Sequence, residues 1–470
     1  MKILARLAAV LAVLSTGLAT PTVMRAASGA AGANAAGHDL LVMRSGSGAY
    51  GGLTALPVRS GQPSRTLPAG LFDRGGRTLY AVGWESANSS LVQAIDVASG
   101  RVLRSIVVPG YYTTMPGSLV PGALLGDGAV NAGRAAPRLA RPDTATRGAL
   151  SPRSLPGVPP VDTADILSAL SYNGRWLALR DATPDAPDTA AVVIDTTRMR
   201  VAATLRLHGA LGLDAIDDAG KNLYFVEKRA NAGPQAYQVR AYDLRARRLD
   251  RGPLTEADDP TGVIRGVAYT RAWSPRGDWL YTLYVQPGKG GAFVHALGVA
   301  SHTVHCIMLP AETARGASAA LTRDALSISP DGSTLYAVNP MLGRMVVVHD
   351  LPDGRVERVA LDRHADAPLS MQRAVALSRD GRIMFVATSR GVWAVDTAAR
   401  RVRTVYAEGK SVTSVALSLD GGRLYALEPA QGQGQGRVQA LDAAGGRALT
   451  AVPVSNNGGA AWSIEQVMSA

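Results

Sequence analysis

The chain has few of the residue types that indicate a cross-link, a bound cofactor or an aromatic core. Its one cysteine, Cys306, excludes an intramolecular disulfide and a CxxCH haem attachment. Aromatic residues make up only 5% of the chain, so Val, Leu, Ile and Ala must form most of the core. No GxSxG, HExxH, P-loop or dinucleotide-binding motif occurs in a fitting context. Packing and strand pairing must therefore hold the fold together, and no cofactor is expected.

Lysine is also scarce, because 49 basic residues minus the lysines at positions 2, 221, 228, 289 and 410 leaves 44 arginines. The formal net charge is +12. A basic excess indicates nucleic-acid binding only where it is clustered on one face, and arginine bias also arises in GC-rich genomes. Nucleic acid is therefore not an expected partner.

Long apolar runs are missing as well. The run Leu7–Leu14 is well short of the ~20 residues that a membrane-spanning helix needs. Lys2 and Arg6 precede it and the small residues of Ser15–Ala19 follow, which predicts an export signal cleaved after Ala19. A later cleavage site at positions 33–35 and an uncleaved anchor are the alternatives. We expect a secreted or extracytoplasmic protein with no transmembrane segment after cleavage.

The most informative pattern is a repeated strand–turn–strand phrase, which is clearest at Ser327–Val338. Pro330-Asp331-Gly332 turns the backbone between two apolar runs, because glycine adopts positive φ without a Cβ clash. Each turn is followed by an apolar second strand, a third strand that usually ends in Asp, and a fourth strand. The turn glycines are at positions 75, 174, 220, 277, 332, 381 and 421, and the aspartates are Asp96, Asp195, Asp243, Asp350, Asp396 and Asp442.

The turn spacings of 99, 46, 57, 55, 49 and 40 residues, with four short strands per unit, are typical of a β-propeller. Three N-terminal strands within residues 39–67 lack an inner strand, and residues 460–467 form a strand-like run at the other end. We predict an all-β propeller at residues 39–470, after a signal at 1–19 and a disordered leader at 20–38. The C-terminal strand should complete the N-terminal blade, which gives eight blades, with seven as the alternative.

The phrase Ser-Pro-Asp-Gly-x-x-Leu-Tyr-Ala-Val resembles the YVTN-type repeats of WD40-like propellers over roughly residues 39–468, although no Trp-Asp dipeptide occurs. The resemblance implies the fold. It implies no single activity, because such families include secreted binding proteins, surface-layer proteins, lactonases and cofactor-carrying subunits. The spacing of 99 contains a Pro-, Gly- and Ala-rich insertion at about 110–165, which is either a loop or a lid over the ring.

Candidate ligand-binding residues lie in loops that join second to third strands or one blade to the next, because these loops surround the channel mouth. Arg265, Arg323 and Arg373 precede or begin inner strands, and arginine forks suit carboxylate or phosphate groups. The alternative is that they are screened surface charges or are paired with acidic residues of the same loops. Trp84, in another such loop, is a candidate anchor for a partner or a sugar.

A metal or catalytic site is a second hypothesis for these loops. Carboxylates and an imidazole could bind a divalent cation, although exposed acidic residues are usually only solvated. In the segment 302–306, the strand period places the two histidines on opposite faces, which argues for an outer strand with a buried cysteine. The predicted metal set is Glu256, Asp258, Asp362, His364 and Asp366, and a third acidic loop holds Asp181, Asp185 and Asp188.

These patterns favour an exported binding or scaffolding module that holds a protein, a ligand or a surface polymer at the channel-mouth rim. A protein or a small anionic ligand is the expected partner, and the chain is expected to be a monomer. The alternative is a propeller enzyme with a rim active site, either a lactonase-like hydrolase or an oxidoreductase subunit.

Overall fold

The computed structural model describes the chain from residue 39 to residue 469 with gaps. Its described ranges are 39–45, 53–58, 64–86, 88–114, 166–182, 188–232, 235–256, 259–286, 291–312, 317–352, 354–368, 373–430, 435–454 and 461–469. The predicted export signal, the leader and residues 115–165 of the predicted insertion lie outside these ranges and stay predictions. No helix within the ranges is long and apolar enough to cross a membrane.

The described residues form eight antiparallel sheets, numbered here as blades 1 to 8 in chain order. Within each blade, consecutive strands are neighbours from an inner first strand to an outer fourth strand. First strands contact one another between blades 3 and 4, 5 and 6, 6 and 7, 7 and 8, and 8 and 1, so the first strands line the central channel. The predicted all-β, eight-bladed propeller is confirmed, and the seven-bladed alternative is wrong.

The strands have the following bounds. Blade 1 contains β1 (Asp39–Ser45), β2 (Leu53–Pro57) and β3 (Arg65–Leu67), and blade 2 contains β4 (Gly70–Phe72), β5 (Thr78–Ser86), β6 (Ser89–Asp96) and β7 (Val102–Pro109). Blade 3 contains β8 (Ser168–Leu170), β9 (Trp176–Arg180), β10 (Asp188–Asp195) and β11 (Arg200–His208). Blade 4 contains β12 (Leu211–Ile216), β13 (Asn222–Lys228), β14 (Ala236–Asp243), β15 (Arg248–Leu249) and the extra β16 (Ile264–Arg265). Blade 5 contains β17 (Val267–Trp273), β18 (Trp279–Gln286), β19 (Gly291–Gly298) and β20 (Thr303–Met308), and blade 6 contains β21 (Ala325–Ile328), β22 (Leu335–Asn339), β23 (Arg344–Val348) and β24 (Val356–Ala360). Blade 7 contains β25 (Val375–Leu377), β26 (Ile383–Thr388), β27 (Gly391–Asp396) and β28 (Arg401–Tyr406). Blade 8 contains β29 (Ser414–Leu417), β30 (Arg423–Glu428), β31 (Gly436–Asp442) and β32 (Ala448–Val454). The final strand is β33 (Ala461–Ser469), and the helices are a 3₁₀ turn at Ala230–Ala232 and α1 (Ala317–Leu321).

The ring is closed by β33, which is the inner strand of blade 1 and pairs antiparallel with β1. The closure predicted from the sequence is confirmed. Asp39 in β1 strengthens the seam, because its carboxylate accepts hydrogen bonds from Arg423 Nη1 at 2.6 Å and from the Tyr425 hydroxyl. Arg423 and Tyr425 both lie in β30, so these contacts join the first blade to the last.

Side chains of the repeated turn phrase make hydrogen bonds to each other and to the backbone of the same turn. Ser329 Oγ donates to Asp331 Oδ1 at 2.5 Å and accepts the Thr334 N–H at 2.9 Å, and the same arrangement recurs at 378–383 and 418–423. The third-strand aspartates serve the next turn in the same way, as when Asp396 accepts the Ala399 N–H at 2.7 Å. These repeated polar residues therefore have a structural role.

Turn glycines also let neighbouring blades approach. Gly332 has φ +80°, and a Cβ there would lie 3.4 Å from Cδ of Pro275, the equivalent proline of the preceding blade. Gly381 has φ +72° and stands in the same relation to Pro330. In blade 2 the prediction is wrong by one residue, because the glycine with positive φ is Gly76 and not position 75.

These turns lie on one rim of the propeller, which we call the turn rim (residues 329–333 and their equivalents). Contacts between blades narrow the channel opening at this rim. Arg74 of blade 2 lies 4.4 Å above the ring of Tyr172 in blade 3 and donates to the Pro275 carbonyl of blade 5 at 3.0 Å. The Tyr172 hydroxyl donates to the same carbonyl at 2.7 Å. These contacts join blades that are not neighbours, so the turns of blades 2, 3 and 5 converge at this rim. A ligand is therefore better accommodated at the opposite rim, the mouth rim, which holds Trp84 and Arg373.

Removal of residues 460–470 should open blade 1 and strongly lower the midpoint of thermal unfolding. Asp39→Asn provides a milder test that does not remove a strand. Loss of the charge that faces the partly buried Arg423 should lower the free energy of unfolding by about 3 kcal/mol in urea titrations. Asp362→Asn, a change at an exposed carboxylate, is the matched control. Wild-type unfolding of both the truncated chain and Asp39→Asn would contradict the closure.

Candidate functional site

Three inner strands contain β-bulges, whose extra residues include Asp214, Tyr269 and Glu465. A bulge turns the side chain of its extra residue away from the regular pleat and is common beside functional sites. Two of the three are carboxylates, and each is met by arginine. Asp214 Oδ1 accepts a hydrogen bond from Arg271 Nη2 at 2.5 Å.

Glu465 is the centre of the second cluster, at the mouth rim. Its Oε1 accepts a hydrogen bond from Arg44 Nε at 3.2 Å, and its Oε2 forms an ion pair with Arg373 Nε at 3.3 Å. Burial raises the pKa of the Glu465 carboxyl, but Arg373 and Arg44 outweigh this effect and hold the pKa below its ordinary value. The carboxylate is therefore charged, and the summed charge of the three side chains is +1. Glu465 and Arg44 were not predicted from the sequence, although a charged residue in an otherwise uncharged closing strand could have indicated Glu465.

The position of Arg373 is fixed by the backbone. Its carbonyl accepts the Val415 N–H at 3.1 Å and the Ser414 hydroxyl at 3.2 Å. Ser414 Oγ in turn accepts the Ile464 N–H at 3.0 Å, so blades 7, 8 and 1 are joined at this point. Arg373 has φ 52°, a strained value for a non-glycine residue that persists only where surrounding contacts impose it.

The guanidinium of Arg373 is only partly engaged. Its Nε faces Glu465, the side chain is 53% exposed, and no group in the described ranges accepts a hydrogen bond from its two terminal amino groups. An arginine held through Nε presents these amino groups as a fork in a fixed direction. The arrangement can bind a carboxylate or a phosphate.

The other two predicted arginines differ from Arg373. Arg323 is half-buried and donates through Nη1 to the Ala367 carbonyl. Burial lowers the pKa of the Arg323 guanidinium, and the nearby charge of Asp366 opposes that shift. Arg265 is exposed on β16, where its Nε donates to the Ala232 carbonyl at 3.4 Å. The structure thus places Arg323 beside one of the predicted acids and Arg265 between blades 4 and 5.

The predicted metal ligands lie on different parts of the propeller. Glu256 accepts the backbone N–H of Cys306 on β20, the outer strand of blade 5. Asp362, His364 and Asp366 are exposed in the connection between blades 6 and 7, where the His364 ring lies against Gly343. Asp258 lies outside the described residues.

No three His, Cys, Asp or Glu side chains in the described ranges could together hold a metal ion. The complete predicted set includes Asp258, so the metal hypothesis stays a prediction. In the third acidic loop, Asp181 Oδ2 accepts the Tyr111 N–H at 3.2 Å, and Asp188 pairs with Arg206 and His208 at 2.9 and 3.2 Å. Asp185 also lies outside the described residues.

The prediction that Trp84 lies in a rim loop is wrong, because Trp84 lies within β5, two residues before the end of this second strand of blade 2. Its side chain is 39% exposed. Its ring stacks on Tyr111 with the centroids 4.8 Å apart and an interplanar angle of 29°. Burial, and then the charge of Asp181, raise the pKa of Tyr111 to about 12, so the phenol stays protonated. Tyr111 was not a predicted site residue, since only the folded chain brings it under the indole.

Cys306 lies on the outer strand β20, as predicted, but it is partly exposed and not buried. It lines a groove of about 660 Å³ that extends to Pro352 and Val356 of blade 6. Its neighbour is a histidine that the sequence did not single out. Cys306 Sγ lies 3.7 Å from Nδ1 of His295, which is directly opposite on β19. His302 lies before β20 and binds Asp250 at 2.9 Å.

No family model and no curated protein matches the chain. Solved structures give distant likenesses. AztD from Citrobacter koseri has 10% identity and a TM-score of 0.48, with 92% of this chain and 97% of that chain covered. A periplasmic gluconolactonase from Pseudomonas aeruginosa, PpgL, has 16% identity and a TM-score of 0.40, with 83% and 99% covered. The dihydro-haem d1 dehydrogenase NirN has 13% identity and a TM-score of 0.47, with 89% and 73% covered.

At these identities and TM-scores, the likenesses support no inference about ligand, activity or family. The eight-bladed architecture rests on the strand pairing itself. The YVTN-type resemblance stays a prediction.

His295 should make stability depend on pH. Burial lowers its pKa to about 4 from 6.5, with Asp214 opposing this shift and Arg271 and His305 adding to it. Between these values the unfolded chain binds a proton that the folded chain does not, so stability falls as the pH decreases from 6.5 to 4. The loss should be about 3 kcal/mol.

Urea titrations at pH 7.5 and pH 4 test this prediction. The wild type should lose this stability at pH 4, and His295→Gln should lack this contribution. His208→Gln, at a side chain that is 94% exposed, is the control and should behave like the wild type. An equal pH dependence in all three proteins would show that His295 is not buried as a neutral base.

Proposed function

We propose that the protein is an exported binding module that takes an anionic group of its partner, a carboxylate or a phosphate, at the mouth rim. Arg373 is the anchor of this site. The observation that carries the proposal is a guanidinium held through Nε by Glu465, with its terminal amino groups unpaired within the described residues.

The physical support comes from geometry and charge. A planar guanidinium makes paired hydrogen bonds to carboxylate or phosphate oxygens, and such charge-assisted bonds are stronger than neutral ones. Because Glu465 and the backbone already fix Arg373, binding an anion costs little side-chain entropy. The net charge of +12 attracts anions over longer distances, and salt weakens this attraction.

The remaining parts of the proposal rest on different observations. Export rests on the sequence of residues 1–19. Arg323 and Arg265 precede first strands, as Arg373 does, and we expect them to add positive charge to the mouth rim. The alternative of a lactonase-like hydrolase or an oxidoreductase subunit is favoured by no contact among the described residues and stays a prediction.

Binding to immobilised polyphosphate and polygalacturonate, measured by biolayer interferometry at low and high salt, tests the proposal. The wild type should bind at least one polymer and release it as salt rises, and neutral dextran should not bind. Arg373→Ala should weaken binding by about tenfold, because one charge-assisted pair is lost. Arg373→Lys should fall between the two, since it keeps the charge without the fork.

Arg403→Ala is the matched control. It removes the same charge from the same blade but lies exposed on the outer strand β28. Equal losses in Arg373→Ala and Arg403→Ala would reduce the effect to net charge and contradict a site at Arg373. Absence of wild-type binding to both polymers would contradict the proposed function.

A further inference from the structure

Trp84 and Tyr111 form an aromatic platform on the mouth rim of blade 2. Strands β5 and β6 pair up to Trp84 and Ser90, and a bulge places Glu85 between Trp84 and the next pair, Ser86 and Ser89. The bulge leaves the indole at the hairpin end, where it is 39% exposed. One face of the indole lies against Tyr111.

The lower ring of the platform is held in place by the backbone. The Tyr111 N–H donates to Asp181 Oδ2 at 3.2 Å, and the Tyr111 carbonyl accepts the Ala182 N–H at 2.7 Å. Gly110 N–H donates to the Asn88 carbonyl at 2.8 Å, which ties the same segment to the hairpin that carries Trp84. The platform is therefore preformed, and a ligand that stacks on it needs to order few groups.

The chain around the platform is polar. Glu85 and Asn88 are exposed, and the Ser86 and Ser89 hydroxyls lie 2.6 Å apart beside them. The centre of a protein–protein interface is usually apolar and depleted of such groups. An exposed aromatic face bordered by hydroxyl, amide and carboxylate groups suits a ligand with an apolar face and a hydroxylated edge, which describes a sugar ring.

We propose that the Trp84–Tyr111 platform binds a sugar ring, and that the partner at the mouth rim is an acidic polysaccharide. The proposal rests on the proposed function, because the acidic groups of the polymer are those that Arg373 takes. Trp84 lies in blade 2, next to blade 1, which supplies Glu465 and Arg44 to the arginine cluster. A polymer that engages both places gains affinity beyond either contact alone.

The test compares two polymers that share negative charge but differ in sugar rings. Polygalacturonate has both features, and polyphosphate has charge alone. Trp84→Ala should weaken polygalacturonate binding by about tenfold, the effect of losing one stacked ring, and should leave polyphosphate binding unchanged. Trp84→Phe should retain part of the polygalacturonate affinity, because a smaller ring still stacks.

Leu103→Ala is the matched control, since Leu103 is an apolar residue of the same blade that is 57% exposed on the outer strand β7. Unchanged polygalacturonate binding in Trp84→Ala, or an equal loss for both polymers, would overturn the platform. If Arg373→Ala still weakened binding in that case, the proposed function would stand. Failure of the wild type to bind either polymer would instead contradict both the proposed function and the proposal of a polysaccharide partner.

Discussion

The propeller depends on the pairing of β33 with β1, because this ladder joins the two ends of the chain and closes the ring. Without it, blade 1 would lack its inner strand and the first strand of blade 8 would lose its contact with β33. Charged groups support the ladder on both rims. Asp39 binds Arg423 on the turn rim, and Glu465 joins Arg44 to Arg373 on the mouth rim. The same strand thus closes the fold and supplies the carboxylate at the centre of the candidate site.

Repeated and unrepeated residues have different tasks in this protein. The repeated Ser, Asp and Gly residues satisfy the backbone at turns and allow close packing of blades, as Ser329, Asp331 and Gly332 show. They are engaged in structure and lie on the turn rim. Arg373 and Trp84 remain available to a ligand. They do not belong to the repeated phrase, and they lie on the opposite rim.

Sequence periodicity was sufficient for the fold because each blade repeats the same local rule of alternating strands and glycine turns. It predicted the blade number and the closing strand, and it missed the first turn by one residue. The site was predicted only in part. Arg373 and Trp84 could be placed on a rim, but Glu465, Tyr111 and His295 meet their partners through bulges and cross-strand register between distant residues. The pattern of residues along the sequence does not indicate which residues form such pairs.

The central claim is that the mouth rim around Arg373 and Trp84 is the binding surface. Amide hydrogen exchange of the full chain with and without polygalacturonate measures this directly. The account predicts slower exchange at residues 373–377, 414–417 and 463–466 and in the hairpin at 84–90, with the turn rim unchanged. Slowing confined to residues 329–333 and their equivalents, or to the outer groove at 303–308, would contradict it.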